Sequence, residues 1–295
     1  MQIVSVSGGK GGTGKTFVSV NLALWLAKHQ KRVLLMDCDV ENPNTNILLG
    51  HPNLSDFKST EITHFVPQFD ENKCTKCGKC SHVCRTHAIF QIIDQIPLLM
   101  QNLCNSCELC YRVCPDDAII PSQQHLGKIF FKNLQIENIP LDLMVGELQV
   151  GQVQAVKILE AMYEKFEKLH EKIPYDFIIT DSAPGAHCDV EFVLKQSEYV
   201  LCVTEPTPFG AHDLNRILKL AEVVKRKPYV IVNRSTITDY PIDQSAIAAI
   251  PYDQQIMESY AQGIPFVCYK LVKEDSQSKL AIDTIGKFIS DKEVS

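Results

Sequence analysis

The sequence predicts an α/β protein, a doubly wound and mostly parallel sheet with a small α+β module inserted into it. Three observations carry this expectation. Short apolar runs alternate with helix-like segments over 1–50 and again from about 127 to the end, as strand–helix–strand crossovers require. A glycine-rich segment follows the first apolar run at once. Between the two alternating stretches, eight of the 12 cysteines crowd into residues 74–114. A length of 295 residues suits one large domain or two unequal ones.

Composition narrows the class. Hydrophobic residues make up 45% and charged residues 22%, which excludes a collagen, a coiled coil and a disordered tail. No apolar run approaches the roughly 18 residues that span a bilayer. The opening Met1–Ser7 is too short and uncharged for a signal peptide, so a cytoplasmic location and no membrane span are expected. A net charge of -6 argues against a mainly electrostatic nucleic-acid binder, so no nucleic acid is expected as a partner.

Taken in order, Ile3–Val6 reads as a buried strand. Gly9-Lys10-Gly11-Gly12-Thr13-Gly14-Lys15-Thr16 then matches the phosphate-binding loop G-x-x-x-x-G-K-[ST]. Its glycines let backbone N–H groups turn inward around phosphates, and the N-terminus of the following helix adds positive potential. Lys15 is placed to meet the terminal phosphates and the Thr16 hydroxyl to ligate Mg²⁺. Residues 17–28 read as that helix, with Val20, Ala23, Leu24 and Ala27 on one face. Val33–Met36 is a second strand, ending in Asp37-Cys38-Asp39. A helix is expected over 151–170, with Val153, Val156, Ile158, Leu159, Met162 and Phe166 on a broad apolar face and a solvated charge run at 164–168. Tyr175–Thr180 is a strand ending in Asp181, followed by Ser182-Ala183-Pro184-Gly185. Another strand runs into the proline-rich turn Glu205–Gly210, and Tyr229–Val232 leads to Asn233-Arg234.

The cysteines repeat with a period of 30: Cys74-x2-Cys77-x2-Cys80-x3-Cys84, then Cys104-x2-Cys107-x2-Cys110-x3-Cys114-Pro115. Ala88 and Ile89 recur as Ala118 and Ile119. Three chemistries compete. Disulfides need an oxidising compartment, and zinc sites draw pairs of ligands from separated loops. An iron–sulfur cluster suits the spacing best, because one looping turn can set three thiolates on three corners of a cubane while a distant cysteine supplies the fourth.

Residues 70–121 resemble the bacterial two-cluster ferredoxins. That resemblance implies one [4Fe–4S] cluster on Cys74, Cys77, Cys80 and Cys114, and a second on Cys104, Cys107, Cys110 and Cys84, the fourth cysteine of each run crossing over. Arg85 stands where that family usually has proline.

Lys10, ahead of Gly11-Gly12, resembles the deviant Walker lysine of the MinD/ParA/Mrp superfamily, which includes the nitrogenase iron protein as a distant relative. The resemblance implies that Lys10 reaches the nucleotide of the other subunit in a dimer. It implies that Asp39 orients the attacking water and helps organise Mg²⁺, that Asp181 holds Mg²⁺ through water, and that 182–185 sense the γ-phosphate. Asn233 matches the adenine-recognising residue, with Arg234 beside it, and Pro251-Tyr252-Asp253 resemble the loop that closes over the base. Phe17 departs from a second threonine found in many relatives.

The implied organisation is a P-loop NTPase domain over 1–60 and 127–295 with a two-cluster ferredoxin domain inserted at 61–126. The implied cofactors are ATP/ADP, Mg²⁺ and two [4Fe–4S] clusters. The implied assembly is a homodimer, or a heterodimer with a related ATPase, working with a redox partner protein. Of three implied activities, the leading one is ATP hydrolysis that drives dimer changes and couples them to low-potential electron transfer. An iron–sulfur assembly or delivery ATPase is the alternative, and a spatial organiser with redox-sensing clusters comes third. The mixed charge of 286–295 argues against a membrane-targeting helix. Cys38, Cys202 and Cys268 are expected in the core, and Cys188, just after 182–185, is read as a buried apolar cysteine rather than a further cluster ligand.

Overall fold

The computed structural model describes residues 1–242 and 245–292, so the end of the 286–295 segment lies outside the described residues. β1 (Gln2–Ser7) leads into α1 (Lys15–Lys28), and β2 (Val33–Cys38) into α2 (Thr45–Leu48). β3 (Lys58–Phe69), α3 (Lys79–Val83), β4 (Ile89–Phe90), β5 (Leu98–Leu99), α4 (Leu109–Arg112), β6 (Ile119–Ile136) and β7 (Ile139–Leu148) follow. After α5 (Ala155–His170) the alternation resumes with β8 (Phe177–Ser182), α6 (Cys188–Gln196), β9 (Tyr199–Thr204) and α7 (Pro208–Val223). β10 (Pro228–Asn233), β11 (Ala246–Ile250), α8 (Gln254–Ala261) and α9 (Gln277–Asp291) complete the described chain.

The main sheet is mostly parallel, in the order β11-β10-β9-β1-β8-β2-β7-β6-β3. β1 pairs in parallel with both β8 and β9, and β2 with both β8 and β7. Strands with helices on both faces are buried throughout, and β2 and β8 show it, each apolar until its C-terminal residues. α1 explains the depth of the core. It is apolar nearly all round and carries no solvent stripe, so Leu22, Leu24 and Leu26 are fully buried beside the sheet residues Val4, Leu35 and Ile179. Because β1, β2, β8, β9, β10 and β11 are parallel, their C-terminal ends open on one edge, where an α/β sheet presents its ligand crevice.

β6 and β7 form a hairpin that the simple alternation of strand and helix did not anticipate. Its two-residue turn, Glu137-Asn138, has both residues in the left-handed region, the twist that such a turn needs. The helix expected over 151–170 begins at Ala155: Gly151 is left-handed and Gln152 N–H closes a turn on the Gln149 carbonyl, which leaves Val153 exposed ahead of the helix. No helix of the described residues is long and apolar enough to cross a membrane.

The chain divides into two compact units. The first holds Met1–Thr60, Ile129–Glu147 and Val156–Ser295, and contains the phosphate-loop elements. The second holds Glu61–Lys128 together with Leu148–Ala155. In this second unit Gln154 draws the return segment in, since its side-chain amide donates to the Cys104 carbonyl at 2.8 Å and contacts the buried His64 at 3.1 Å. Its core is small: Phe65, Ile89, Cys110 and Ile119, with Phe69, Cys80, Cys84, Leu99 and Cys114 packed against them.

Candidate functional site

The first unit holds a cavity of about 320 Å³ at the C-terminal edge of its strands. Gly11, Gly12, Gly14, Lys15 and Thr16 line it from the loop, Asp39 from the end of β2, Asn233 and Arg234 from the end of β10, and Pro251, Tyr252 and Asp253 from the segment after β11. Gly14 caps α1 in the left-handed region, and a Cβ there would run into the Asn233 amide. That amide donates to the Thr13 carbonyl at 2.8 Å, so Asn233 braces the loop. Gly9 and Thr13 stand behind the cavity wall: a Cβ at Gly9 would strike the Asp213 backbone, and Thr13 is buried.

Lys15 is 7% exposed, and its ammonium donates to the Lys10 carbonyl at 3.4 Å. Burial pulls its pKa below the usual lysine value, against the pull of Asp181 and Asp39. The Thr16 hydroxyl donates to Asp181 Oδ2 at 2.7 Å, while Asp181 Oδ1 is buried with no hydrogen-bond partner among the described residues. An orphaned carboxylate oxygen beside a hydroxyl is a donor set that suits a hard divalent cation, so the residues fit Mg²⁺. Burial, reinforced by Asp37, holds the Asp181 carboxyl far above the usual carboxylate range.

Asp39 borders the cavity and is held part-way up by its own burial. Its neighbour Asp37 does different work. Fully buried, Asp37 accepts from the Asn44 N–H at 2.8 Å and from both the Thr45 N–H and hydroxyl at 2.9 Å, which fixes the start of α2. The segment after β8 is tied to the loop as well: the Ser182 and Ser7 hydroxyls lie 2.6 Å apart, and Gly185 N–H donates to the Gly8 carbonyl at 3.1 Å.

Lys10 is not among the residues that line the cavity. Its ammonium lies 4.0 Å from Glu205 Oε2, and the other oxygen of that buried carboxylate pairs with Arg234.

Asp181 has a pH consequence with a definite sign. Its folded pKa is raised, so below about pH 4 the neutral carboxyl costs the metal-free fold nothing, and that advantage is lost as pH rises through the folded value near 8. A cation needs the ionised form. The Mg²⁺-dependent part of nucleotide affinity is therefore expected to tighten about eightfold between pH 6.5 and 7.5, read by titrating Mg²⁺ against a fluorescent nucleotide. A pH-independent Mg²⁺ affinity would remove Asp181 from the metal site.

In the second unit the cysteines separate into two small cavities. Cys74, Cys77, Cys80 and Cys114 line one, and Cys84, Cys104, Cys107 and Cys110 line the other. The 30-residue repeat extends to the backbone: Lys76, Gly78 and His87 are left-handed, and so are Ser106, Glu108 and Asp117. Such reversals aim successive N–H groups at one centre. Ala88 N–H points at Cys84 Sγ (3.2 Å) and Ala118 N–H at Cys114 Sγ (3.3 Å), while Ser106 N–H points at Cys104 Sγ (3.4 Å). All 12 cysteines are free of disulfides. Among the described residues no three His, Cys, Asp or Glu side chains converge as they would on a single metal ion.

Residues 1–235 match the AAA_31 family, described as an AAA domain. The chain belongs to this family. An uncharacterised protein of Methanocaldococcus jannaschii is 34% identical over 91% of this chain and 93% of its own length. The Escherichia coli iron–sulfur cluster carrier protein is 42% identical over 65 residues, 22% of this chain and 17% of that one. The cell-division ATPase MinD of Pyrococcus furiosus shares the fold at 20% identity and a TM-score of 0.62, with 99% of both chains covered.

In this MinD/ParA-type P-loop ATPase, two site residues escaped the sequence. Glu205 was visible only as part of a proline-rich turn, although an acid directly after an apolar strand was a usable signal. Asp37 is told from Asp39 only by what α2 brings to it. Cys188 corrects an expectation: it is exposed at the start of α6, because the residues after Gly185 run over the surface before the helix forms. Cys38 and Cys202 are buried, and Cys268 is only half-buried.

Proposed function

We propose that this ATPase binds and hydrolyses ATP as a dimer, carries two [4Fe–4S] clusters in its 61–128 module, and couples the nucleotide cycle to low-potential electron transfer to a partner. The observation that carries the reading is the division of eight cysteines into two fourfold sets, each drawing one member from the other run. The clusters would supply one-electron chemistry at low potential.

The chain's own residues would do the following. Loop N–H groups and Lys15 receive the phosphates, and Lys15 exchanges the Lys10 carbonyl for a phosphate oxygen. Thr16 and Asp181 hold Mg²⁺, Asp39 orients the attacking water, and Asn233, Arg234 and the 251–253 segment receive the base. Lys10 leaves Glu205 to meet the nucleotide of a second subunit. Lys10→Ala should therefore bind ATP with near-normal affinity yet hydrolyse it about 100-fold more slowly, a loss typical of one charge-stabilising donor. Turnover equal to wild type at every protein concentration would count against action across a dimer.

Coupling has its own test. Mg-ATP, and not Mg-ADP, should shift the cluster potentials or the rate of electron exchange, read by paramagnetic-resonance redox titration with a non-hydrolysable ATP analogue. Identical values in both states would favour the second reading, an iron–sulfur delivery ATPase, to which the partial likeness with the Escherichia coli carrier points.

A further inference from the structure

Resting on the two-cluster reading above, we propose that the Thr86 hydroxyl sets the two cysteine sets at unequal reduction potentials. By donating to Cys84 Sγ it holds the second set (Cys84, Cys104, Cys107, Cys110) above the first (Cys74, Cys77, Cys80, Cys114). The 30-residue repeat supplies the comparison within one chain. Each run ends in a cysteine whose sulfur accepts a backbone N–H four residues on, Ala88 N–H to Cys84 at 3.2 Å and Ala118 N–H to Cys114 at 3.3 Å. Between those points the runs diverge. Thr86 stands two residues after Cys84, with its Oγ1 3.6 Å from Cys84 Sγ, and Asp116 stands two residues after Cys114. A carboxylate can only accept, and Asp116 Oδ2 takes the Thr75 hydroxyl at 2.6 Å instead. Thr86 lines the second cavity and Asp116 the first.

Two further differences point the same way. Ser106 N–H points at Cys104 Sγ at 3.4 Å, so among the described residues three donors serve sulfurs of the second set and one serves the first, at Cys114. Gln91 lines the first cavity, and its amide nitrogen donates to the Lys76 and Gln95 carbonyls at 3.0 and 2.9 Å. Its oxygen is buried without a hydrogen-bond partner, and its repeat counterpart is Pro121, which has no side-chain oxygen. Reduction adds one negative charge to a group already held by thiolates. Donors to sulfur stabilise that charge and raise the potential, and an unpaired oxygen beside it does the opposite.

Whole charges at the two cavities pull the other way, and more weakly. Lys76 and Lys79 line the first and Glu108 the second. Both lysines are exposed to water that screens them, and Asp116 stands on the same wall. Glu108 is offset by Arg112, whose guanidinium lies 3.5 Å from it. The bonds to sulfur act directly, with no water between donor and ligand. One electron given up at the first set and taken up at the second balances without a proton or any other reactant. An electron entering the module therefore comes to rest on the second set.

The test is a redox titration of full-length protein isolated anaerobically with its iron, followed by paramagnetic resonance. Two one-electron midpoints are expected, separated by at least a tenfold preference of one electron for the second set, about 59 mV. Thr86→Val keeps the side-chain shape and removes the donor. It should lower the higher midpoint, cutting that preference about fivefold, and leave the lower midpoint in place. Thr86→Ser, which keeps the hydroxyl, should retain the wild-type value. Asp116→Thr offers the same hydroxyl to Cys114 and should raise the lower midpoint alone. Iron content equal to wild type in all three variants confines the effect to the potential. A single wild-type midpoint for both electrons, or a Thr86→Val protein whose higher midpoint stays where it was, overturns the role of Thr86. Wild-type protein without iron overturns the two-cluster reading itself, before any potential is compared.

Discussion

Lys15→Ala should lose ATP hydrolysis by at least about 100-fold while keeping its full complement of iron. Lys15 is the buried cation of the loop, and burial already lowers its pKa, so its charge is maintained there only by Asp181 and Asp39. Replacing it leaves those two carboxylates facing the phosphates with no lysine between them. The expected result is a nucleotide that binds weakly or fails to react, measured by fluorescent-nucleotide titration and phosphate release. The cysteines lie in the other compact unit, so iron and acid-labile sulfide should remain at about eight each per chain for two four-iron clusters. Loss of iron together with turnover would sink the modular reading.

Crossed ligation makes an equally large and more unusual prediction. Cys84 lies in the first run but lines the cavity of Cys104, Cys107 and Cys110. Cys84→Ser should therefore empty the second-run site and spare the first, cutting iron to about four per chain. Cys114→Ser should do the reverse, since Cys114 lines the cavity of Cys74, Cys77 and Cys80. Iron content alone does not tell which set survives. Anaerobic alkylation with mass spectrometry does: in Cys84→Ser the thiols of Cys104, Cys107 and Cys110 should react while Cys74, Cys77, Cys80 and Cys114 stay protected. Labelling confined to the first run would overturn the crossed assignment, and stoichiometric zinc in protein isolated without reconstitution would overturn the clusters altogether.

The phosphate loop was legible because its requirements are local. Glycines free the backbone, the next lysine and threonine are fixed by the turn into α1, and the preceding apolar run is a strand whatever surrounds it. The cysteine repeat was legible for the same reason, since a turn of three residues sets the sulfur spacing within each run. What resisted reading depended on distant segments. The β6–β7 hairpin rests on two non-glycine residues in the left-handed region, which side chains disfavour and tertiary pairing imposes. Asp37 and Asp39 differ by two positions on one strand end, yet one caps α2 and the other faces the cavity.

Sequence by itself determined the mostly parallel α/β class, the phosphate-loop motif and the spacing of the two cysteine runs, because periodicity and short-range stereochemistry act within about a dozen residues. Only the tertiary structure decided which carboxylate oxygen is left without a partner and where Lys10 rests. It also decided that the far end of α1 borders a cavity under the lone tryptophan. Each of these turns on groups far apart in sequence being brought within a few ångströms, from the 165 residues between Thr16 and Asp181 to the 258 between Trp25 and Asp283. Burial then sets the charge states, since desolvation acts on Asp181 and Lys15 only once the sheet has closed around them.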